Sequence, residues 1–411
     1  MTAPKGKALI GQSGGPTAVI NQSLVGLIEA CIESPHIDAV YGAKSGIGGV
    51  LAEEFIDLTQ QDAQTLEAVA QTPCAGLRSI RKKPTKEECV RALEVMKAHG
   101  IRYFFYIGGN DSAETAHILN QVAMEDDYEL RLFHVPKTID NDLRMTDHCP
   151  GYGSAARFVS MALMGDNEDS RSLPGVKIDV IMGRNAGWLT AAGALARHHE
   201  EDGPHLIYLP ERNFEWDRFL GDIDGVVSKY GRCLVAASEG IHDASGTLIA
   251  EEASLETDAF GNKQLSGSGA LGDILATRVR NGLKGPGGKP LRVRADTFGY
   301  LQRSFFGFTS EVDSREAREV GRRAVEAATN GSAAHGTIVI QRNSNDPYEA
   351  SYEVAALKDV ARDTKEMPDE FIDGENAVSA AFLDYARPLV GPLPRPGRLR
   401  EIMIPALLTQ S

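Results

Sequence analysis

One short turn has the residue types and spacing of a proton-transfer centre. Thr138, Asp140 and Asp142 alternate through Pro136-Lys137-Thr138-Ile139-Asp140-Asn141-Asp142. In an extended turn, that i, i+2 spacing puts a hydroxyl and two carboxylates on one face. Such a group suits removal of a proton from an alcohol with a cation nearby. Lys137 beside it would neutralise charge on a group in transfer. A lone acidic turn of this kind is more often solvated surface. The company it keeps in this chain argues otherwise.

Several glycine-rich turns carry related chemistry. In Gly11-Gln12-Ser13-Gly14-Gly15-Pro16, Gly14 and Gly15 let backbone N–H groups approach an anion. Pro16 is expected in the first turn of a helix, whose N-terminus adds positive potential. Gly108-Gly109-Asn110-Asp111-Ser112 repeats the design, with Ser112 expected as the helix cap and Asn110 and Asp111 pointing outward. Each turn alone reads equally as a tight strand-to-helix connection. Two in one sheet favour a polyphosphate cradle. Met182-Gly183-Arg184-Asn185-Ala186-Gly187-Trp188 offers Arg184, a planar fork suited to phosphate, although an arginine there also suits a helix end. Glu239 in Ser238-Glu239-Gly240 can accept sugar hydroxyls. Arg294 and Tyr300-Leu301-Gln302-Arg303 form a cationic, aromatic cluster on a strand-like segment. Arg78, Arg81, Lys82 and Lys83 are a dense basic patch, able to attract an anion but in most proteins a solvated face.

Two patterns are set aside. Gly267-Ser268-Gly269-Ala270-Leu271-Gly272 fits G-x-G-x-x-G but follows a polar loop, not a strand, and no G-x-x-x-x-G-K-[ST] occurs. His198 and His199 are adjacent in an expected helix, so they diverge and make a poor metal pair.

These turns need strands to hold them. Apolar runs at Lys7–Gly11, Ile101–Ile107, Arg131–Val135, Val176–Met182, Leu206–Leu209, Cys233–Ala237 and Thr337–Ile340 read as strands. Between them lie helical periods, such as Val19 to Ile32 and Ala113–Ala123. Alternation of this kind predicts an α/β fold with mostly parallel sheets covered on both faces, and ligands beyond the strands' carboxyl ends. Residues 257–267 and 282–290 read as loops. The segment after Asp363, broken by Pro388, Pro392, Pro394 and Pro396, is expected to wrap over other elements.

Composition bounds the partners. The 411 residues suggest two or three folding units. The net charge of −14 argues against nucleic acid and anionic membranes as partners. Five cysteines without a C-x-x-C pair, and no signal-like N-terminus, give the expectation of a cytoplasmic protein. Glycine is about 10% of the chain, above the usual 7% or so.

In order, GGPTAVIN, the Arg81 region, GGNDS, PKTIDND, MGRNAGW, SEG and YLQR resemble the phosphofructokinase family, and within it the pyrophosphate-dependent branch. The resemblance runs from Gly11 to about Arg323. It implies two doubly wound domains with the active site in the cleft between them: residues 1–150 plus about 302–360 for the phosphoryl donor, and 151–301 plus about 361–411 for the sugar phosphate. It implies reversible, Mg²⁺-dependent transfer from pyrophosphate to the 1-hydroxyl of fructose 6-phosphate. By the same resemblance, Asp140 is the general base, and Lys137, Asp111 and Arg184 complete the catalytic group. Gly14, Arg81, Gly109 and Ser112 hold the donor, and Asn110 stands at the Mg²⁺ position. Thr138, Asp142, Met182, Gly183, Glu239, Arg294, Tyr300 and Arg303 grip the sugar phosphate. Arg294 is expected to serve a neighbouring subunit, in a homodimer or homotetramer.

The donor expectation rests on two positions. ATP-using members carry G-G-D-G-S and G-T-I-D-N-D; here Asp111 and Lys137 replace glycines. A carboxylate where a nucleotide's α-phosphate would lie repels it and fills its space. The alternatives are an ATP-dependent enzyme of the same fold, or a non-catalytic regulatory subunit that kept the fold. The phosphate grip would also serve sedoheptulose 7-phosphate.

Overall fold

Along Ile101–Gly108, Tyr103, Phe105 and Ile107 point to one side and Phe104 and Tyr106 to the other, all buried. A strand apolar on both faces needs cover on both. In the computed structural model, which describes residues 3–252, 269–361, 363–405 and 407, it lies in a seven-stranded sheet. The order is Tyr348–Ala355, His335–Asn345, Arg131–Pro136, Ile101–Gly108, Gly6–Gln12, Ile37–Ala43, Phe55–Asp57. The five central strands are parallel, and each edge strand is antiparallel. Helices Ile20–Glu33 and Glu311–Thr329 cover one face, and helices Lys86–Ala98 and Asn110–Glu125 the other.

A second sheet is wholly parallel: Leu206–Tyr208, Cys233–Ser238, Val176–Ile181, Val293–Thr297. Leu234 and Ala236 face one core, with helices Tyr152–Ser172 and Ala380–Val390. Cys233, Val235 and Ala237 face the other, with helices Trp216–Tyr230 and Ala270–Gly282. The expected doubly wound α/β architecture is therefore present twice. The two halves are tied together by Asp313 on helix Glu311–Thr329. Its carboxylate accepts from the N–H groups of Gly151 and Ser154, both at 2.8 Å, and so caps helix Tyr152–Ser172. Helices Ile20–Glu33 and Glu311–Thr329 meet where Gly26 has no side chain; a Cβ there would stand 2.1 Å from the Arg318 carbonyl oxygen.

Some local expectations fail. The first helix begins at Ile20, not at Pro16, because the chain after Gly15 first runs past the loop of Cys74, whose N–H bonds the Thr17 carbonyl at 3.1 Å. Ser112 does not cap: Gly109 is the cap residue and Ser112 lies inside the first turn. Tyr300-Leu301-Gln302-Arg303 enters a short helix, Leu301–Ser304, rather than a strand. His198 and His199 lie in a turn, where both backbone N–H groups donate to Asp202 at 3.0 and 2.8 Å. Pro388 sits inside helix Ala380–Val390 rather than breaking the chain there. The expected loop 257–267 lies outside the described residues, as do Gly267 and Ser268. Among the described residues, no helix is long and apolar enough to cross a membrane.

Candidate active site

Turns from the carboxyl ends of both sheets line one cleft of about 660 Å³. The first sheet contributes residues 13–17 after Gly6–Gln12, residues 109–112 after Ile101–Gly108, and residues 137–140 and Asp142 after Arg131–Pro136. The second contributes Met182, Asn185 and Glu239. Residues 80–83, Arg303 and Thr364 complete the wall.

The catalytic turn keeps its shape through Asn141. This residue is fully buried with a φ of 58°, in the left-handed region that asparagine tolerates. Its amide donates to the Tyr385 hydroxyl at 2.8 Å, and its carbonyl accepts from the Cys149 N–H at 2.9 Å. With Asn141 turned into the protein, Thr138, Asp140 and Asp142 line the cleft, but so do Lys137 and Ile139, because the turn is not extended at Asn141. The Thr138 hydroxyl accepts from the Asp140 N–H at 3.0 Å. Lys365 braces the turn from behind. Its N–H bonds the Asp142 carbonyl at 2.7 Å, and its ammonium donates to the carbonyls of Thr146 and Asp147.

Opposed charges meet here. Burial, with the carboxylates of Asp142 and Glu239 nearby, pushes Asp140 up to about 7, against the pull of Lys137 and Arg303. Burial raises Asp142 as well. Burial lowers Lys137 to about 8, helped by Arg303 and Arg81 and opposed by Asp140 and Asp142. A carboxylate near 7 is poised as a base, and an ammonium beside it is poised to meet an anion.

Glycines make room for these cations. The Lys137 ammonium donates to the Gly15 carbonyl at 2.7 Å. A Cβ on Gly14 would stand 3.2 Å from that ammonium, and one on Gly15 only 2.7 Å from the Arg303 guanidinium. Gly14 does not offer its own N–H to a ligand, because that group bonds the Ile80 carbonyl at 3.0 Å. The bond instead holds the loop that carries Arg81. Buried amides hold the same loop: Gln12 accepts from the Leu77 N–H and Asn21 from the Gly76 N–H, both at 2.8 Å.

Among the described residues, Asn110 Oδ1, Thr17 Oγ1 and Arg303 Nε are buried at the cleft with no hydrogen-bond partner. The Asn110 amide nitrogen donates to Asp142 at 3.2 Å. A free carbonyl oxygen beside a carboxylate is the hard oxygen pair that Mg²⁺ accepts. Among the described residues, no group of three or more His, Cys, Asp or Glu could hold a metal by itself. Any Mg²⁺ here would complete its shell from phosphate oxygens and water.

Thus Gly14, Arg81, Gly109, Asn110, Asp111, Ser112, Lys137, Thr138, Asp140, Asp142, Met182, Glu239 and Arg303 come together. Four expected residues do not line the cleft. Gly183 and Arg184 are passed over between Met182 and Asn185, and the Arg184 side chain is exposed. That turn is held by backbone: Ser238 Oγ bonds the Gly183 carbonyl at 2.5 Å, and a Cβ on Gly240 would fall 2.0 Å from the Arg184 carbonyl oxygen. Arg294 and Tyr300 are exposed as well, Tyr300 with Arg303 over its ring at 4.4 Å. Gln302 joins two motifs, accepting from the Met182 N–H at 3.2 Å.

A model of the phosphofructokinase family matches residues 7–328. The chain belongs to this family. Within it, the chain is 50% identical to the pyrophosphate--fructose 6-phosphate 1-phosphotransferase of Rhodospirillum rubrum, over 99% of this chain and all of that one. It is 38% identical to the protein of the same name from Halomonas elongata, over 93% and 91% of the two chains. The crystal structure of a pyrophosphate-dependent phosphofructokinase from Nitrosospira multiformis superposes with a TM-score of 0.84 at 35% identity, covering 97% of this chain and 95% of that one.

Four contributors to this phosphofructokinase cleft are not among the residues that the sequence motifs single out. Asn185 lies in a turn whose arginine drew attention instead. Thr364 and Lys365 belong to the segment after Asp363, where no periodicity marks them. Tyr385 is one aromatic on an amphipathic helix, and only the fold brings it to Asn141.

Proposed function

We propose that this chain transfers a phosphoryl group reversibly between pyrophosphate and the 1-hydroxyl of fructose 6-phosphate, giving fructose 1,6-bisphosphate and phosphate. The observation that carries the reading is one cleft holding a carboxylate near neutral pKa, a buried lysine and Asp111 at the start of helix Asn110–Glu125. The names of the relatives agree with it.

In this reading, Asp140 takes the proton of the 1-hydroxyl as its oxygen attacks in line. Lys137 offsets charge on the transferred group. Arg81 holds the donor with the turn at Gly109 and Ser112. Thr138, Met182, Glu239 and Arg303 hold the sugar and its phosphate. Asn110 and Asp142 would hold Mg²⁺, which when bound neutralises phosphate charge. Arg184 acts at most from the rim, because its side chain is exposed. Arg294 and Tyr300 stand outside this chain's own cleft, beside exposed Leu301 and Phe306. This supports a homo-oligomer in which Arg294 serves a neighbour, and a monomeric native mass would refute it. The two sheets would be the cores of the donor and sugar-phosphate domains. The five free thiols fit a cytoplasmic enzyme.

Turnover of fructose 6-phosphate with pyrophosphate and negligible turnover with ATP is the expected result for purified protein. Preference for ATP would overturn the donor reading, and no turnover with either would favour the non-catalytic alternative.

The pH profile is a second check. Asp140 must lose a proton to act and Lys137 must keep one, so kcat/KM is expected to rise through about 7 and fall above about 8. Substrate phosphates titrate too. Lys137→Arg separates the causes, because guanidinium stays charged. Its alkaline limb should move up while the acidic limb stays. An unmoved alkaline limb would exclude Lys137 as its source.

A further inference from the structure

The strand that leads into the catalytic turn carries a histidine that no role above uses. His134 on Arg131–Pro136 is fully buried, and its Nε2 lies 2.9 Å from the Gly108 carbonyl oxygen on the neighbouring strand. A carbonyl only accepts, so Nε2 carries the proton and donates. Nδ1 is buried without a hydrogen-bond partner among the described residues. Burial, helped by the Lys137 charge and opposed by the Gly108 and Gly109 carbonyls, lowers the ring to about 4, so it donates as a neutral group. An apolar side chain would fill this place without leaving a ring nitrogen unpaired, so what the histidine adds is the N–H. The same Gly108 carbonyl accepts from the Lys137 N–H at 3.0 Å. Both its lone pairs are used, and the oxygen is held toward strand Arg131–Pro136. The Gly108–Gly109 peptide is planar and trans, so the Gly109 N–H points the opposite way. In the sheet order that is toward Gly6–Gln12 and the turn after it, which lines the cleft as Gly109 does. Among the described residues, this N–H has no hydrogen-bond partner.

We propose that His134 is a positioning residue for the phosphoryl donor: its imidazole N–H fixes the Gly108–Gly109 peptide, so that the Gly109 N–H is presented to a donor phosphate. This role rests on the donor reading above. Through Gly108, the donor turn is also tied to the strand that carries Lys137 and Asp140, so donor and catalytic carboxylate keep one relative position. A neutral ring suits the task, because a charged one would repel the Lys137 ammonium that the transferred group needs.

His134→Phe keeps the bulk of the ring and removes the donor, and His134→Gln keeps an N–H at similar reach. In His134→Phe, KM for pyrophosphate is expected to rise about tenfold while KM for fructose 6-phosphate stays within about twofold. His134→Gln should recover most of that loss. A role in packing alone would lower the melting temperature without separating the two KM values. The selective rise, with recovery in His134→Gln, supports the proposal. A folded His134→Phe enzyme whose KM for pyrophosphate is unchanged, or moves together with that for fructose 6-phosphate, overturns it. So does a His134→Gln enzyme that melts like the wild type and yet binds pyrophosphate as His134→Phe does. The wild type gives a check that needs no variant to fold. With isotope-labelled histidine, one neutral ring protonated at Nε2 should shift its N–H resonance when pyrophosphate is added, because hydrogen bonds in a chain polarise one another. No histidine N–H that responds to pyrophosphate overturns the role. A wild type that prefers ATP would instead overturn the donor reading, and the same split is then expected in KM for ATP.

Discussion

Asp140→Asn is expected to lower kcat by roughly 10²–10⁴ while KM for fructose 6-phosphate stays within about threefold. Asparagine keeps the shape and cannot accept the hydroxyl proton. The turn should persist, because it is held by Asn141, Lys365 and the Thr138 hydroxyl rather than by the Asp140 carboxylate. Binding should not suffer either, since one negative charge leaves a cleft that must admit anions. The same variant should be more stable. The folded chain holds the Asp140 proton up to about 7, whereas the unfolded chain releases it near the ordinary value of 3.8. Between those values the folded state binds more protons, so this group costs stability as pH rises. Asp140→Asn should therefore melt above the wild type at about pH 8, and the gap should close toward about pH 4. Slow turnover with higher stability would mark a functional charge held against its own interest. Near-normal turnover would remove Asp140 from the base role.

The residues of this cleft were legible in unequal degrees. Short-range patterns were read well. Buried strands such as Ile101–Gly108 announce themselves by continuous apolar runs, and the turns after them by glycine. Strand Ile37–Ala43 and the edge strands Phe55–Asp57 and Tyr348–Ala355 did not, because partly exposed strands carry mixed residues that resemble loops. Val293–Thr297 is a strand, as the strand-like reading of the segment at Arg294 expects, with Arg294 and Asp296 exposed along it.

What failed was mostly tertiary. Nothing near Lys365 in the sequence says that its backbone will bond the Asp142 carbonyl, more than two hundred residues earlier in the chain. The chemistry of Arg184 suits phosphate, but direction decides. The turn packs backbone against Gly240, and the side chain leaves toward solvent. The glycine-rich turn predicts a phosphate-facing Gly14 N–H, but that group bonds the Ile80 carbonyl instead. Its missing side chain still matters, since it spares the Lys137 ammonium.

The donor end gives the last large effect. Asp111→Gly combined with Lys137→Gly is expected to cut kcat/KM for pyrophosphate about 10²–10³-fold and to bring measurable ATP-driven turnover. Each change acts through a different charge. Asp111 lies in the first turn of helix Asn110–Glu125, where its carboxylate offsets the positive end of the helix. Removing it restores an anion site at that N-terminus, which a nucleotide's phosphate can use. Lys137 is a buried cation acting on the catalytic carboxylates, and a small donor with few contacts depends on it more than a nucleotide does. The pyrophosphate loss should therefore be carried mainly by Lys137→Gly, and the ATP gain mainly by Asp111→Gly. Unchanged pyrophosphate kinetics in the double variant would count against both roles, and would leave the cleft's preference for pyrophosphate without a charge to explain it.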